Sequence, residues 1–142
     1  MLQKPEDFIR SGSRVFRKAP VNTGAIQGWI RIAEGKAADA HRTANSATTR
    51  LGAAYDSVLN LGLAVLCKEG WRCTSAEGHH AQALEAACAY AGISVGLADE
   101  VDAMRDLRNG QYQGVEPTQP DVEYALKVMG RVVPEFLNFL KA

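Results

Sequence analysis

The stretch RDLRNGQYQG, Arg105 to Gly114, gathers many of the side chains that could handle a charged ligand. Arg105 and Arg108 lie about one helical turn apart, Asn109 follows, and Tyr112 sits between Gly110 and Gly114. A guanidinium cannot shed its charge, so out of water it needs a carboxylate, carbonyls or a phosphate. Asparagine adds an amide that both donates and accepts, and tyrosine adds a flat ring with a hydroxyl. Together the four suit an anion and nucleotide pocket. They also have a purely structural use, because arginines in a last helical turn satisfy its free carbonyls and oppose its dipole.

Spacing sets how Arg108 is presented. Leu97, Val101 and Met104 step by four and three, so Arg108 continues their apolar line toward the core or a partner surface. Asp56 and Asp106 are its candidate counter-ions. His79 and His80 open another helix, whose dipole favours their neutral form. Cys67, Cys73, His79 and His80 are zinc-ligand types without a recognised spacing, so neither metal nor cofactor is expected. Cys67 and Cys88 read instead as small buried hydrophobes. No P-loop, dinucleotide fingerprint, HExxH or nucleophile elbow occurs.

These residues are carried by helices, since apolar spacing is helical nearly throughout. The first segment, about Pro5 to Lys18, puts Arg10, Arg14, Arg17 and Lys18 on one side. Ser11-Gly12-Ser13 weakens it, so residues 1–22 read as a basic N-terminal arm or short helix ending before Pro20. That basic stripe is either a solvated face, pairing with acidic residues, or a clamp for an RNA backbone. The second helix has Thr23 as N-cap and the stripe Ile26, Ile30, Ala33, Ala37, Ala40 and Ala44. The third runs from about Ala47 to Lys68, capped by Ser46 and closed at Gly70. It is apolar all round and must be central. WRCTSAEGHH is then a connection, followed by a short helix ending at Gly92 and another beginning near Val95. The last helix takes Pro120 at its first position and Ala125, Val128 or Met129, Val132, Phe136 and Leu140 as its stripe, with a kink or break at Pro134. Trp29, Trp71, Tyr55 and Tyr124 are core or interface aromatics.

The chain's 142 residues make one domain, and 46% hydrophobic with 23% charged residues is ordinary for a globular protein. No window approaches the ~18 unbroken apolar residues of a membrane span, and the N-terminus shows no signal-peptide core. Three unpaired cysteines fit a reducing, cytoplasmic setting. Net charge is zero but uneven: residues 1–50 carry +5 and residues 51–142 carry −5. This excludes a bulk polyanion binder of the strongly basic kind, but not a local phosphate site.

Three stretches, in this order and spacing, resemble the HEPN family (higher eukaryotes and prokaryotes nucleotide-binding) over about residues 25–140. TRLGAAYDSVLNLGLAVLCKEGWR, Thr49 to Arg72, is similar to the family's central helix. EGHHAQAL, Glu77 to Leu84, is similar to the histidine-bearing start of the next. MRDLRNGQY, Met104 to Tyr112, is similar to the Arg-Asn motif near the end of the helix before the last. The resemblance implies an all-α, antiparallel four-to-five-helix bundle that dimerises, over a single domain of residues 1–142.

Ribonuclease members of the family place a histidine about four to six residues after an Arg-polar pair. Two such motifs meet across the dimer and cut RNA without a metal, the histidine serving as acid/base and the arginine stabilising phosphate charge. This chain has no histidine between Arg105 and Pro117; Tyr112 stands there, and a phenol is a poor proton shuttle at neutral pH. His79 or His80 would have to approach the Arg108 cluster in the folded dimer to supply the missing group. The expectation is therefore a HEPN-like protein of a toxin–antitoxin or defence system. It would bind RNA or a nucleotide through Arg105, Arg108, Asn109, Tyr112 and His80, rather than hydrolyse it. The resemblance also implies a nucleotidyltransferase antitoxin partner, of the kind that silences related toxins by modifying a tyrosine near the motif. The alternative is a catalytically silent dimeric interaction module, in which the same arginines form a salt-bridge network.

Overall fold

The computed structural model describes residues 1–76 and 78–142. Among them are six α-helices: α1 Pro5–Arg10, α2 Thr23–His41, α3 Ala47–Lys68, α4 His79–Tyr90, α5 Val95–Asn109 and α6 Gln119–Lys141. A 3-10 turn, Gly110–Gln113, follows α5. Two three-residue strands, β1 Phe16–Lys18 and β2 Trp71–Cys73, pair antiparallel. The expected all-α antiparallel bundle is thus what the chain forms, with no helix long and apolar enough to cross a membrane among the described residues.

Helix α3 is the axis, and its boundaries are those the spacing predicts. The Ser46 hydroxyl accepts from the Thr49 amide at 3.2 Å, and Gly70 adopts the left-handed φ of 84° just past the end. Tyr55, Val58, Leu61, Val65 and Leu66 are all buried around it. Helix α2 runs back along α3 and is tied to it at three levels. Arg50 Nε donates to the Ala40 carbonyl at 2.9 Å, Ser57 Oγ to the Ala33 carbonyl at 2.8 Å, and Cys67 Sγ to the Asn22 carbonyl at 3.8 Å. Arg50 is only 8% exposed and its guanidinium sits at the C-terminal end of α2, where a cation opposes the helix dipole. That arginine is a structural one.

Helices α5 and α6 complete the bundle, with α4 packed against α3 and α5. Arg131 Nη1 of α6 donates to Glu100 Oε2 of α5 at 2.8 Å, and Tyr124 Oη to the Glu100 carbonyl at 3.4 Å. Gly62 of α3 faces Ala87, Leu84 and Phe136; a Cβ there would sit 3.5 Å from the first two and 3.9 Å from the Phe136 ring.

Several local expectations change. The N-terminal helix stops at Arg10, and Phe16–Lys18 is extended, because Phe16 is buried against Trp71 while the ladder to Trp71–Cys73 takes up the backbone. WRCTSAEGHH is accordingly strand first and helix last, with Glu77 outside the described residues. The N-cap of α2 is Asn22, whose side chain accepts from Ala25, and Thr23 is already helical. Pro120 falls second in α6, behind the reciprocal Thr118–Asp121 cap. Pro134 does not interrupt α6. It is exposed, the residue four before it is the exposed Gly130, and the carbonyl it leaves unpaired can take water.

The close approach at Gly62 yields a test. Gly62→Ala should be neutral or stabilising by up to about 1 kcal/mol, because a methyl fits and alanine favours helix. Gly62→Leu should destabilise by about 1–3 kcal/mol through overpacking, read as a lower urea midpoint.

Candidate functional site

The apolar line of α5 is real: Leu97, Val101 and Met104 are buried, and Arg108 follows them half-buried at the last turn. Ser94 caps the start, its hydroxyl accepting from the Leu97 amide at 3.2 Å. The chain tightens into the 3-10 turn at the other end. Gly114, with a left-handed φ of 73°, closes it, and the Val115 amide bonds the Gly110 carbonyl at 3.0 Å. This fold-back returns Tyr112 to Arg108, whose Nη1 donates to the phenol oxygen at 3.0 Å and to Asn109 Oδ1 at 3.5 Å. Tyr112 itself is 71% exposed.

Beneath Arg108 lies Tyr55 of α3. The guanidinium carbon is 5.3 Å from the Tyr55 ring centre and 5.7 Å from that of Tyr112, so the cation stands between two π-faces. The Tyr55 hydroxyl is buried and has no hydrogen-bond partner among the described residues. Burial pushes its pKa up to about 12, against the opposing pull of Arg108 and Arg105. The His80 ring of α4 is 6.2 Å from the Tyr55 ring and 4.1 Å from that of His79. Burial, then His79, then Arg108 lower the pKa of His80, which is therefore neutral at physiological pH. His79 is anchored differently, its Nδ1 donating to the Ala76 carbonyl at 3.0 Å.

The two motif arginines are not equivalent. Arg105 donates from Nε and Nη2 to Asp102 Oδ1 at 3.1 and 3.0 Å, and its Nη2 lies 3.4 Å from Asp106. Among the described residues no carboxylate comes within 4.0 Å of Arg108. Of the candidate counter-ions, Asp106 goes to Arg105 and Asp56 faces Lys36 at 3.5 Å. The bonds of Arg108 to Tyr112 and Asn109 are hydrogen bonds to neutral groups, so its charge remains uncompensated.

Space is distributed unevenly around this corner. The cleft at Arg108 itself, walled by Thr48, Gly52, Leu107 and Gln111, is about 10 Å³. A cavity of about 310 Å³ opens on the other side of His80, among Trp29, Trp71, Arg72, Cys73 and His79. Arg108 can therefore meet an anion at the surface but not engulf one. Sequence spacing placed Arg108, Asn109 and Tyr112 together and could not bring His80 to them. Tyr55 was legible only as a core aromatic; its place under Arg108 has no signal in spacing. Among the described residues no group of three or more His, Cys, Asp or Glu side chains is placed to hold a metal.

The orphaned hydroxyl gives a second test. Tyr55→Phe removes a buried group without a partner, so neutral-pH stability should hold or rise, by up to about 1–3 kcal/mol. The raised pKa means the native state binds the phenolic proton more tightly than the unfolded chain does. Its contribution is whole below the ordinary value of 10.0 and is lost as pH climbs toward about 12. Urea midpoints across that range should fall less steeply in Tyr55→Phe than in the parent. Comparison of the chain with protein-family models, with curated proteins and with solved structures gives no match to any of them.

Proposed function

We propose that this protein binds RNA or a nucleotide at the Arg108 corner, as a HEPN-like member of a toxin–antitoxin or defence system, and that it binds rather than cleaves. The observation that carries the reading is the Arg108 guanidinium, half-buried, uncompensated among the described residues, and flanked by the rings of Tyr55 and Tyr112. A phosphate is the anion that such a cation accepts with most geometric gain, through paired N–H donors. Exposed Tyr112 supplies a face on which a base can stack. Asn109 offers an amide beside it, and Arg105, already neutralised by Asp102 and Asp106, holds the helix end more than it holds ligand.

Cleavage without a metal needs one group to take the 2′-hydroxyl proton and another to protonate the leaving oxygen. The lowered pKa of His80 favours the proton-accepting form that the first task requires. A homodimer, a nucleotidyltransferase antitoxin partner and a cytoplasmic setting belong to the same proposal, through the family resemblance.

Arg108→Ala should weaken binding of a single-stranded oligoribonucleotide by about tenfold or more, the worth of a charge-assisted contact. The slope of log affinity against log salt should shrink by about 0.7 for the phosphate contact removed. Circular dichroism and oligomeric state should not change, and Arg105→Ala should cost less. Loss of the dimer or of helicity in Arg108→Ala, with no RNA effect, would instead establish the interaction module. RNA cleavage by the parent protein in the presence of a chelator, abolished by His80→Ala, would overturn the binding-only reading.

A further inference from the structure

The β1–β2 ladder sets Arg17 directly opposite Arg72. Opposed residues in an antiparallel pair project from the same face, and like charges there repel. Each strand is only three residues long, so the ladder has few hydrogen bonds to offset that repulsion. Among the described residues neither guanidinium has a carboxylate within 4.0 Å. The Arg72 guanidinium is held 4.9 Å from the Trp29 ring centre, which orients it without neutralising it. A recess of about 600 Å³, lined by both arginines, Asn22 and Thr23, opens at the pair. It shares Arg72 and Cys73 with the cavity of about 310 Å³ walled by Trp29 and Trp71, whose rim carries Thr74, Ser75 and His79.

We propose that these adjoining spaces form a second ligand site for a nucleotide, with its phosphate between Arg17 and Arg72 and its base in the tryptophan-walled cavity. A phosphate presents several oxygens and can engage two guanidinium groups at once, turning their repulsion into a clamp. The Trp29 indole suits a flat ring while the buried Trp71 closes the cavity behind it, and base stacking on aromatic side chains is strong and tolerant of base identity. The Ser75 hydroxyl, and the Nε2 of His79 whose Nδ1 is taken up by Ala76, supply a donor and acceptors for a base edge. Burial pushes the Cys73 thiol up to about 11, so at physiological pH it is a neutral piece of wall rather than a nucleophile. The site does not rest on the Arg108 reading. His80 borders the cavity, but Arg105, Arg108, Asn109 and Tyr112 take no part.

The chain's two tryptophans both line the cavity, so intrinsic fluorescence reports on it directly. The parent protein is titrated with adenosine monophosphate, with a short single-stranded oligouridylate and with inorganic phosphate. A nucleotide probe should change the fluorescence saturably, and Arg17→Ala and Arg72→Ala should each weaken that titration by about tenfold. Arg108→Ala should leave it within about twofold, which separates failure here from failure of the first site. Response to the mononucleotide identifies a free nucleotide as the ligand; response to the oligomer alone identifies an RNA strand. Silence toward both, or a response indifferent to the two arginine variants, overturns the proposal, as does binding of inorganic phosphate alone. A stability measurement supplies a second arm, because Arg17→Glu replaces the repulsion with a cross-strand ion pair. Its melting temperature without ligand should equal or exceed the parent's while the fluorescence response disappears. A marked drop would show that the pair is not under electrostatic tension and would also sink the idea.

Discussion

Helix α3 leaves little more than one strip, Thr48, Gly52, Asp56, Asn60 and Leu63, less than fully buried. Fourteen of its twenty-two residues are buried, and they occupy all but that strip of its circumference, so no single neighbour can cover it. Water is excluded from the rest only when several helices close on it, and that requirement sets the positions of α2, α4, α5 and α6. Its polar side chains are accommodated within the same constraint. Ser57 and Arg50 reach carbonyls of α2, each removing a group that would otherwise be orphaned in the interior. Tyr55 is the exception, a buried hydroxyl with no hydrogen-bond partner on the side where α4 and α5 meet α3.

That exception and the arginines around it distinguish scaffold from site. Arg50 is spent on a helix end and Arg105 on two aspartates of its own helix. Arg108, Arg17 and Arg72 lack any such carboxylate among the described residues, and each lies against an aromatic ring or opposite another cation. Cation–π contact orients a guanidinium but leaves its charge largely intact. A protein of zero net charge has enough acidic groups to neutralise these arginines, yet its folded surface keeps them apart.

Much of this was readable from residue spacing. The boundaries of α3, the line from Leu97 to Arg108 and the left-handed Gly70 all follow from local rules, because helix periodicity and end chemistry act over a few residues. The small sheet was not readable. Phe16–Lys18 and Trp71–Cys73 are short, far apart in the chain and without marked alternation, so only their meeting across the bundle makes them strands. The exposed Pro134 shows the same limit from the other side, since a rule for helix interiors gave way where the backbone faced water.

The order of residues by itself determined a predominantly helical chain, its central apolar helix, and an arginine-bearing corner at the end of α5, because these depend on neighbours three and four positions apart. The tertiary structure decided what would stand beside the charges that pairing within a helix left over. Arg105 has its aspartates on its own helix, but the closing of the bundle left Arg108 without a carboxylate among the described residues, slid Tyr55 and His80 alongside it, and set Arg17 opposite Arg72. Ion pairing and burial depend on distances in space between groups many residues apart, and those distances exist only once the helices have closed around α3.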